Sequence, residues 1–235
     1  MNMLNVLSGG AAQGLVRSLK PVFAKLTGFG IEGEFGAVGA MADKLRGGAS
    51  ADMVILTSAI VAKLADEKLL LDFSVVDIGL VETAIAVRTG DPALLVEDGD
   101  ALGSALLASD AIFVPDIKAS TAGIHVAGVL HQLGIADAVA DRLKIFPNGA
   151  TAMQYLARSN AKRPIGCTQA TEIISTEGVV LSCALPPGCE LSTMYTAGIT
   201  TRAAAAQQAQ NLIGLLTSSE HRQLRHRAGF LNGRT

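Results

Sequence analysis

Tryptophan is absent from this chain, and seven Phe with two Tyr bring the aromatic content to only 4%. A platform that stacks sugars or single-stranded nucleic acid needs aromatic faces, so this scarcity disfavours both. Charge is scarce as well. Charged residues make up 17% of the chain, and 19 Lys and Arg against 21 Asp and Glu leave a net charge of −2. No basic excess is available to neutralise phosphates, which argues against a nucleic-acid partner. The three cysteines, Cys167, Cys183 and Cys189, have no metal-ligand spacing. Their odd number and lack of a framework favour a reducing compartment. Gly, Asp or Lys interrupts every apolar stretch well before the ~18 residues of a membrane span, so no membrane insertion is expected. Repeats, low-complexity tracts and long charge runs are missing. So are a P-loop, a zinc motif and a Ser-centred hydrolase elbow. Gly9-Gly10 lacks both the spacing and the downstream acid of a dinucleotide fingerprint. No cofactor and no metal is expected.

What is present is a chain 49% hydrophobic over 235 residues, enough for one large domain or two small lobes. Apolar strand-like runs alternate with helical ones, the signature of an α/β fold. Strands are expected at 4–7, 31–35, 52–56, 83–87, 111–114, 144–146, 165–168, 179–184 and 196–200. Helices are expected near 12–27, 40–46, 59–66, 101–108, 121–133, 136–143, 151–158 and 203–216. A last amphipathic helix is expected from Ser219 to Arg227, with Ser219 as its cap. Phe73–Val81 lacks a clear helical period, and Pro186-Pro187-Gly188-Cys189-Glu190 is a turn signal between strands. Two such breaks suggest a double crossover between two lobes. The first lobe is expected at 1–80 plus 195–235 and the second at 81–194, with a ligand cleft between them at strand ends.

The first ten residues carry the clearest chemical signal. The run Leu4-Asn5-Val6-Leu7 leads into Ser8-Gly9-Gly10-Ala11-Ala12 and then a helical stretch. A strand, a small-residue loop and a helix start make a cradle for an anion, because unpaired N–H groups point into the loop. The strand opens at Leu4 with no basic segment, apolar h-region or cleavage site ahead of it. The expectation is a cytoplasmic protein, or a periplasmic one if the chain is a trimmed form of a secreted precursor.

Four segments together resemble the type 2 periplasmic-binding-protein fold, and within it the molybdate-binding-protein-like group. They are Val6–Gly28, ending Phe23-Ala24-Lys25-Leu26-Thr27-Gly28; Glu34-Phe35-Gly36-Ala37-Val38-Gly39-Ala40; the run from Gly47 to Thr57; and Pro164–Thr171. Their order and spacing cover nearly the whole chain. The resemblance implies a small anion or carboxylate ligand. It also implies ligand contacts at Ser8, Gly9, Gly10, Ala11, Ala37, Val38, Thr57, Ser120, Thr121, Asn148 and Gln169. Several of these have plainer readings: Ser120 or Thr121 as a helix cap, Asn148 as a turn residue and Cys167 as a small buried hydrophobe. The departures from the group matter for function. Ala11, Ala37 and Val38 stand where the molybdate group carries hydroxyl side chains, and Gln169 lies near a Tyr position. Each lost oxyanion hydrogen bond costs about 1–3 kcal/mol in a desolvated site. Backbone N–H groups remain, and they suit carboxylates equally well.

Three functions follow. The first is a cytoplasmic isomerase of a small unsaturated carboxylate, like the aconitate-isomerase-like members of the group. It would shift a double bond or its geometry by proton relay, with Lys118, Thr168 and His125 as candidate proton carriers. The second is a solute-binding protein of an ABC transporter for molybdate or another small anion, with a permease as partner. The third is a cytoplasmic ligand sensor.

Overall fold

The computed structural model describes residues 2–232. They divide into two compact units. One holds the chain up to Val81 together with the chain from Thr193 onward; the other is Glu82–Ser192. The first boundary falls one residue later than the sequence reading placed it, and the second falls two residues earlier.

In the first unit β1 (Met3–Gly9), β2 (Gly30–Gly36) and β3 (Met53–Thr57) form a parallel set in the order β2-β1-β3. Helices α1 (Gln13–Thr27), α2 (Val38–Arg46) and α3 (Ser58–Asp66) follow them in turn. Later in the chain β9 (Ser192–Ile199) pairs antiparallel with β3, and α9 (Ala206–Thr217) packs on α1. Burial explains the pattern. Leu15, Val16, Leu19 and Phe23 recur at helical spacing along α1 and are fully buried with Leu4, Met53, Leu212 and Ile213. Every residue of β3 is buried, as a strand covered on both faces requires.

In the second unit β5 (Ala111–Pro115) lies parallel to β6 (Leu143–Phe146) and β7 (Pro164–Gln169). The strand β4 (Val76–Arg88) runs antiparallel to β7 and to β8 (Val179–Ala184). Period-two alternation sends neighbouring residues to opposite faces of the sheet. Ile112 and Val114 join one cluster with Leu102 of α4 (Gly99–Ala108) and Val126 of α5 (Thr121–Gln132). Phe113 joins another with Met153 and Leu156 of α7 (Gly149–Ala157) and Ile173 of α8 (Ala170–Ile174). No single helix among the described residues is long and apolar enough to cross a membrane.

Four expectations are corrected. The strand expected at 83–87 begins at Val76, so the stretch Phe73–Val81, which lacks a helical period, supplies the opening of the 13-residue strand β4. Asp77 and Gly79 hide its alternation, but Asp77 accepts a 2.6 Å hydrogen bond from Thr196 Oγ1. The helix expected over 136–143 is only α6 (Ala136–Val139) followed by a 3-10 turn, Ala140–Arg142. The last helix, α10 (Arg222–Arg227), starts three residues after Ser219, and Ser218 rather than Ser219 accepts from the His221 N–H. The short helix α8 begins directly at the end of β7 and had no signal of its own.

Asp52 locks the first unit. It is 4% exposed, and its carboxylate accepts from Asn5 N at 2.8 Å and from Ala205 N at 2.9 Å. Its own N–H donates to Asn5 O and its carbonyl accepts from Thr200 N. One side chain therefore joins β1, the approach to β3 and the start of α9. Asp52→Ala would leave two N–H groups without acceptors at about 1–3 kcal/mol each. Urea denaturation followed by circular dichroism is expected to show a loss of about 2–5 kcal/mol.

Candidate functional site

Three helix starts share one edge of the first unit's sheet. Gly9 at the end of β1 is level with Gly36 of β2, and Ser8 is level with Ile55 of β3. Gly9 leads into a 3-10 turn, Gly10–Ala12, and then α1; Ala37 is the N-cap of α2 and Thr57 that of α3. No side chain caps any of them. A helix start carries N–H groups without intrahelical partners and the positive end of the helix dipole, so three of them on one edge form a donor set for anions. The set can be compact because residue 9 is Gly: a Cβ there would sit 2.7 Å from Val38 Cγ1 and 3.0 Å from Tyr195 Cε1. The Ser8 hydroxyl is fully buried and donates to Gly9 O at 2.9 Å, so it is directed along its own backbone.

The second unit has a different arrangement at the carboxyl ends of β5, β6 and β7. After β5, Asp116 Oδ1 accepts from Lys118 N at 2.7 Å and Ala119 N at 3.0 Å, which shapes the turn into α5. The Lys118 side chain is exposed; Ser120 is the N-cap of α5 without a side-chain cap bond, and Thr121 is its first residue. His125 Nε2 lies 2.8 Å from Cys189 O, which ties α5 to the Pro186–Glu190 turn. After β6, the start of α7 is satisfied from within. Asn148 Oδ1 accepts from Thr151 N at 2.8 Å. The carboxyl of Glu172, on α8, accepts from the N–H groups of Gly149, Ala150 and Gln169 and from Thr168 Oγ1 at 2.6 Å. Residue 149 must be Gly here, since a Cβ would overlap the Glu172 carboxyl and the Thr168 hydroxyl. Burial pushes the Glu172 carboxyl above the usual carboxylate range, and the four hydrogen bonds only partly oppose that.

Beside this satisfied carboxyl stand polar groups with no partner. Gln169 is 3% exposed, yet neither Nε2 nor Oε1 makes a hydrogen bond. The hydroxyls of Thr83 and Thr171, on residues 1% and 2% exposed, are likewise unpartnered. Thr83 stands directly opposite Gln169 across the β4–β7 ladder. An unpartnered buried polar group costs about 1–3 kcal/mol, so such a cluster asks for a function. An apolar cavity of about 270 Å³, lined by Val87, Leu94, Ala108, Pro164 and Ile165 among others, lies at the opposite end of β7 from Gln169. Burial pushes the Cys167 thiol up to about 12, which suits a buried hydrophobe rather than a nucleophile. Among the described residues no His, Cys, Asp and Glu cluster could hold a metal.

The residues singled out from sequence thus fall into two groups. Ser8, Gly9, Gly10, Ala11, Ala37, Val38 and Thr57 gather at the first unit's sheet edge. Lys118, Ser120, Thr121, Asn148, Thr168 and Gln169 lie at the strand ends or helix starts of the second, while His125 sits one turn into α5 and is bonded to Cys189 O. Sequence reasoning missed Glu172, Thr83 and Thr171. The Thr168–Glu172 spacing of four brings the two together only when a helix starts at Ala170, and that helix was not anticipated.

This mixed α/β architecture, with helix starts gathered at the carboxyl ends of parallel strands in each unit, is the two-lobe type 2 periplasmic-binding-protein fold. Residues 4–231 match the bacterial extracellular solute-binding protein family, and the chain belongs to that family. Among proteins of known activity it is similar to an aconitate isomerase from Pseudomonas sp, 25% identical over 228 residues, covering 92% of this chain and 83% of that one. Among solved structures it is similar to the periplasmic molybdate-binding protein of Azotobacter vinelandii, with a TM-score of 0.81, 18% identity and coverage of 98% and 100%. A sulfate-binding protein of Mycobacterium tuberculosis gives a TM-score of 0.74 at 17% identity, covering 98% of this chain and 86% of that one. At these identities the two structures show a shared fold.

The Glu172 carboxyl gives a signed pH dependence. Its folded pKa is raised, so the folded state binds the proton more tightly than the unfolded chain. That contribution is fully present below the ordinary carboxylate pKa and is lost as pH rises through the folded value. Melting temperature measured from acid to mildly alkaline pH is expected to fall over that window in the wild type. Glu172→Gln is expected to flatten this part of the profile; an identical slope in the variant would assign the titration to another group.

Proposed function

We propose that this chain is an isomerase of a small unsaturated carboxylate. The observation that carries the reading is the set of three uncapped helix starts on one sheet edge of the first unit. The two loops after β1 and β2 offer backbone N–H groups beside Gly9, Gly10, Ala11, Ala37 and Val38, with no hydroxyl side chain there except that of Ser8, which is turned to its own backbone. Such donors hold carboxylates at low dielectric and stabilise the enolate-like charge that develops when a neighbouring carbon loses a proton. The similarity to an aconitate isomerase over 92% of the chain supports the same chemistry. In the reaction a proton leaves one carbon, the double bond shifts, and a proton returns at another carbon; nothing is oxidised or reduced. Of the three residues singled out as proton carriers, Thr168 is committed to Glu172 and His125 is engaged by Cys189 O, which leaves Lys118, exposed at the turn into α5; no cofactor is required. Such an enzyme would work in the cytoplasm.

Membership of a solute-binding family favours a second reading. In it the chain is a periplasmic receptor that binds molybdate or another small anion and delivers it unchanged to an ABC permease.

Incubation of the protein with cis- or trans-aconitate, followed by chromatography of the acids, separates the two. Appearance of the other isomer supports the enzyme. Tight binding without conversion, or stabilisation by molybdate or sulfate alone, supports the receptor. The donor set is tested by Ala37→Asp, at a half-buried N-cap. An N-cap Asp stabilises a helix by about 0.5–2 kcal/mol relative to Ala, and here it would also place a negative charge in the anion site. The variant is expected to melt at or above the wild-type temperature and to lose the ligand-induced shift. A retained shift would remove α2 from the site.

A further inference from the structure

The unpartnered amide of Gln169 deepens this reading and rests on it. An amide has a donor end and an acceptor end, and at Gln169 both are buried without partners. The conclusion does not depend on which end is nitrogen, because exchanging them leaves one donor and one acceptor unmet. The Thr83 hydroxyl, on the residue directly opposite in β4, and the Thr171 hydroxyl, two residues along the chain, are also unmet, and each can donate and accept. A ligand group suited to Gln169 must therefore do both at once. A fully ionised tetrahedral oxyanion such as sulfate or molybdate only accepts. It would pair with Nε2 and leave Oε1 facing negative charge. An ionised carboxylate has the same defect. A protonated carboxyl has none: its C=O accepts from Nε2 while its O–H donates to Oε1, which closes a two-point ring with a primary amide.

We propose that Gln169, with Thr83 and Thr171 beside it, binds one carboxyl group of the substrate in its protonated form. The substrate class is then a di- or tricarboxylate of which one carboxyl takes up a proton from solvent on binding. The chemistry gives this a purpose. Removing a proton from carbon next to an ionised carboxylate piles a second negative charge onto the same group. Removing it next to a neutral carboxyl creates only one, and the amide hydrogen bonds disperse it. The buried surroundings favour the neutral form, as they do for the neighbouring Glu172 carboxyl. The same residues would discriminate against molybdate and sulfate, which bring no proton donor at neutral pH.

The test is calorimetric titration with tricarballylate, a saturated tricarboxylate that has no double bond to shift. It is run at neutral pH in two buffers of different ionisation enthalpy, which counts protons taken up on binding. The wild type is expected to take up close to one proton for each molecule bound. Gln169→Leu removes both ends of the amide at similar volume. Its apo form is expected to melt at or above the wild-type temperature, since no hydrogen bond is lost, while affinity falls about tenfold or more and proton uptake disappears. Binding by the wild type without proton uptake would overturn the proposal and leave the carboxylate reading standing. So would uptake that survives in Gln169→Leu but vanishes in Glu172→Gln, because the proton would then reside on Glu172. A Gln169→Leu protein with lowered apo stability and unchanged affinity would show that the amide is satisfied internally, which also overturns it. Failure of the wild type to bind tricarballylate, cis-aconitate and trans-aconitate alike would overturn the carboxylate reading and the proposal with it.

Discussion

The N–H groups at a helix start must find acceptors, and this requirement organises the chemistry of the chain. Each α/β step ends a parallel strand and begins a helix, so donors collect at the carboxyl edge of each unit's sheet. Some starts are closed by the protein itself. Asp98 caps α4, Asn148 caps α7, and the Glu172 carboxyl covers the N–H groups of Gly149 and Ala150. Others have no side-chain cap: those of α1, α2, α3, α9 and α10 and those of α5, α6 and α8, and of these α1, α2, α3, α5 and α8 follow the carboxyl ends of strands. The closed starts are positions where the fold completes its own hydrogen bonding. Where several uncapped starts share one sheet edge, as those of α1, α2 and α3 do, an outside anion gains most.

Glu172 and Gln169 show the same division at the scale of two neighbouring side chains. Both are buried at the junction of β7 and α8. Glu172 has four donors around its carboxyl, and the whole cluster depends on Gly149 having no Cβ. Gln169 has none. A buried group with partners stabilises its surroundings; one without partners costs stability until something binds. This contrast between adjacent residues marks a site more sharply than the presence of polar atoms alone, since Thr168, equally buried, is committed to Glu172.

Much of the fold was legible in the sequence because periodicity and small-residue loops were strong. The apolar spacing in α1 and the runs that became β1, β3 and β5 identify buried elements directly. The first loop was legible for a chemical reason, as Gly9, Gly10 and Ala11 carry no side-chain acceptor that could cap a helix. Legibility failed where tertiary contact decides. The opening of β4 looked irregular because Asp77 and Gly79 break its pattern, yet Asp77 is held by Thr196, more than a hundred residues away. Thr83 looked like any strand residue, and only the β4–β7 register places it opposite Gln169. Glu172 was missed because its partners come from two loops and a helix of five residues. His125 read as a ring free to carry protons, whereas Cys189 O, 64 residues further on, engages its Nε2.

The central claim is that the chain moves a proton on a bound unsaturated acid. Deuterium exchange measures this more directly than product formation, because it reports carbon–hydrogen cleavage even when the equilibrium barely favours a new isomer. Trans-aconitate incubated with the protein in deuterium oxide and followed by proton NMR is the decisive case. The account predicts that the methylene proton signal decays and deuterium appears at carbon, at a rate that scales with protein concentration. Full retention of the methylene signal under conditions where calorimetry shows the site saturated would contradict it and leave a protein that binds its ligand and releases it unchanged.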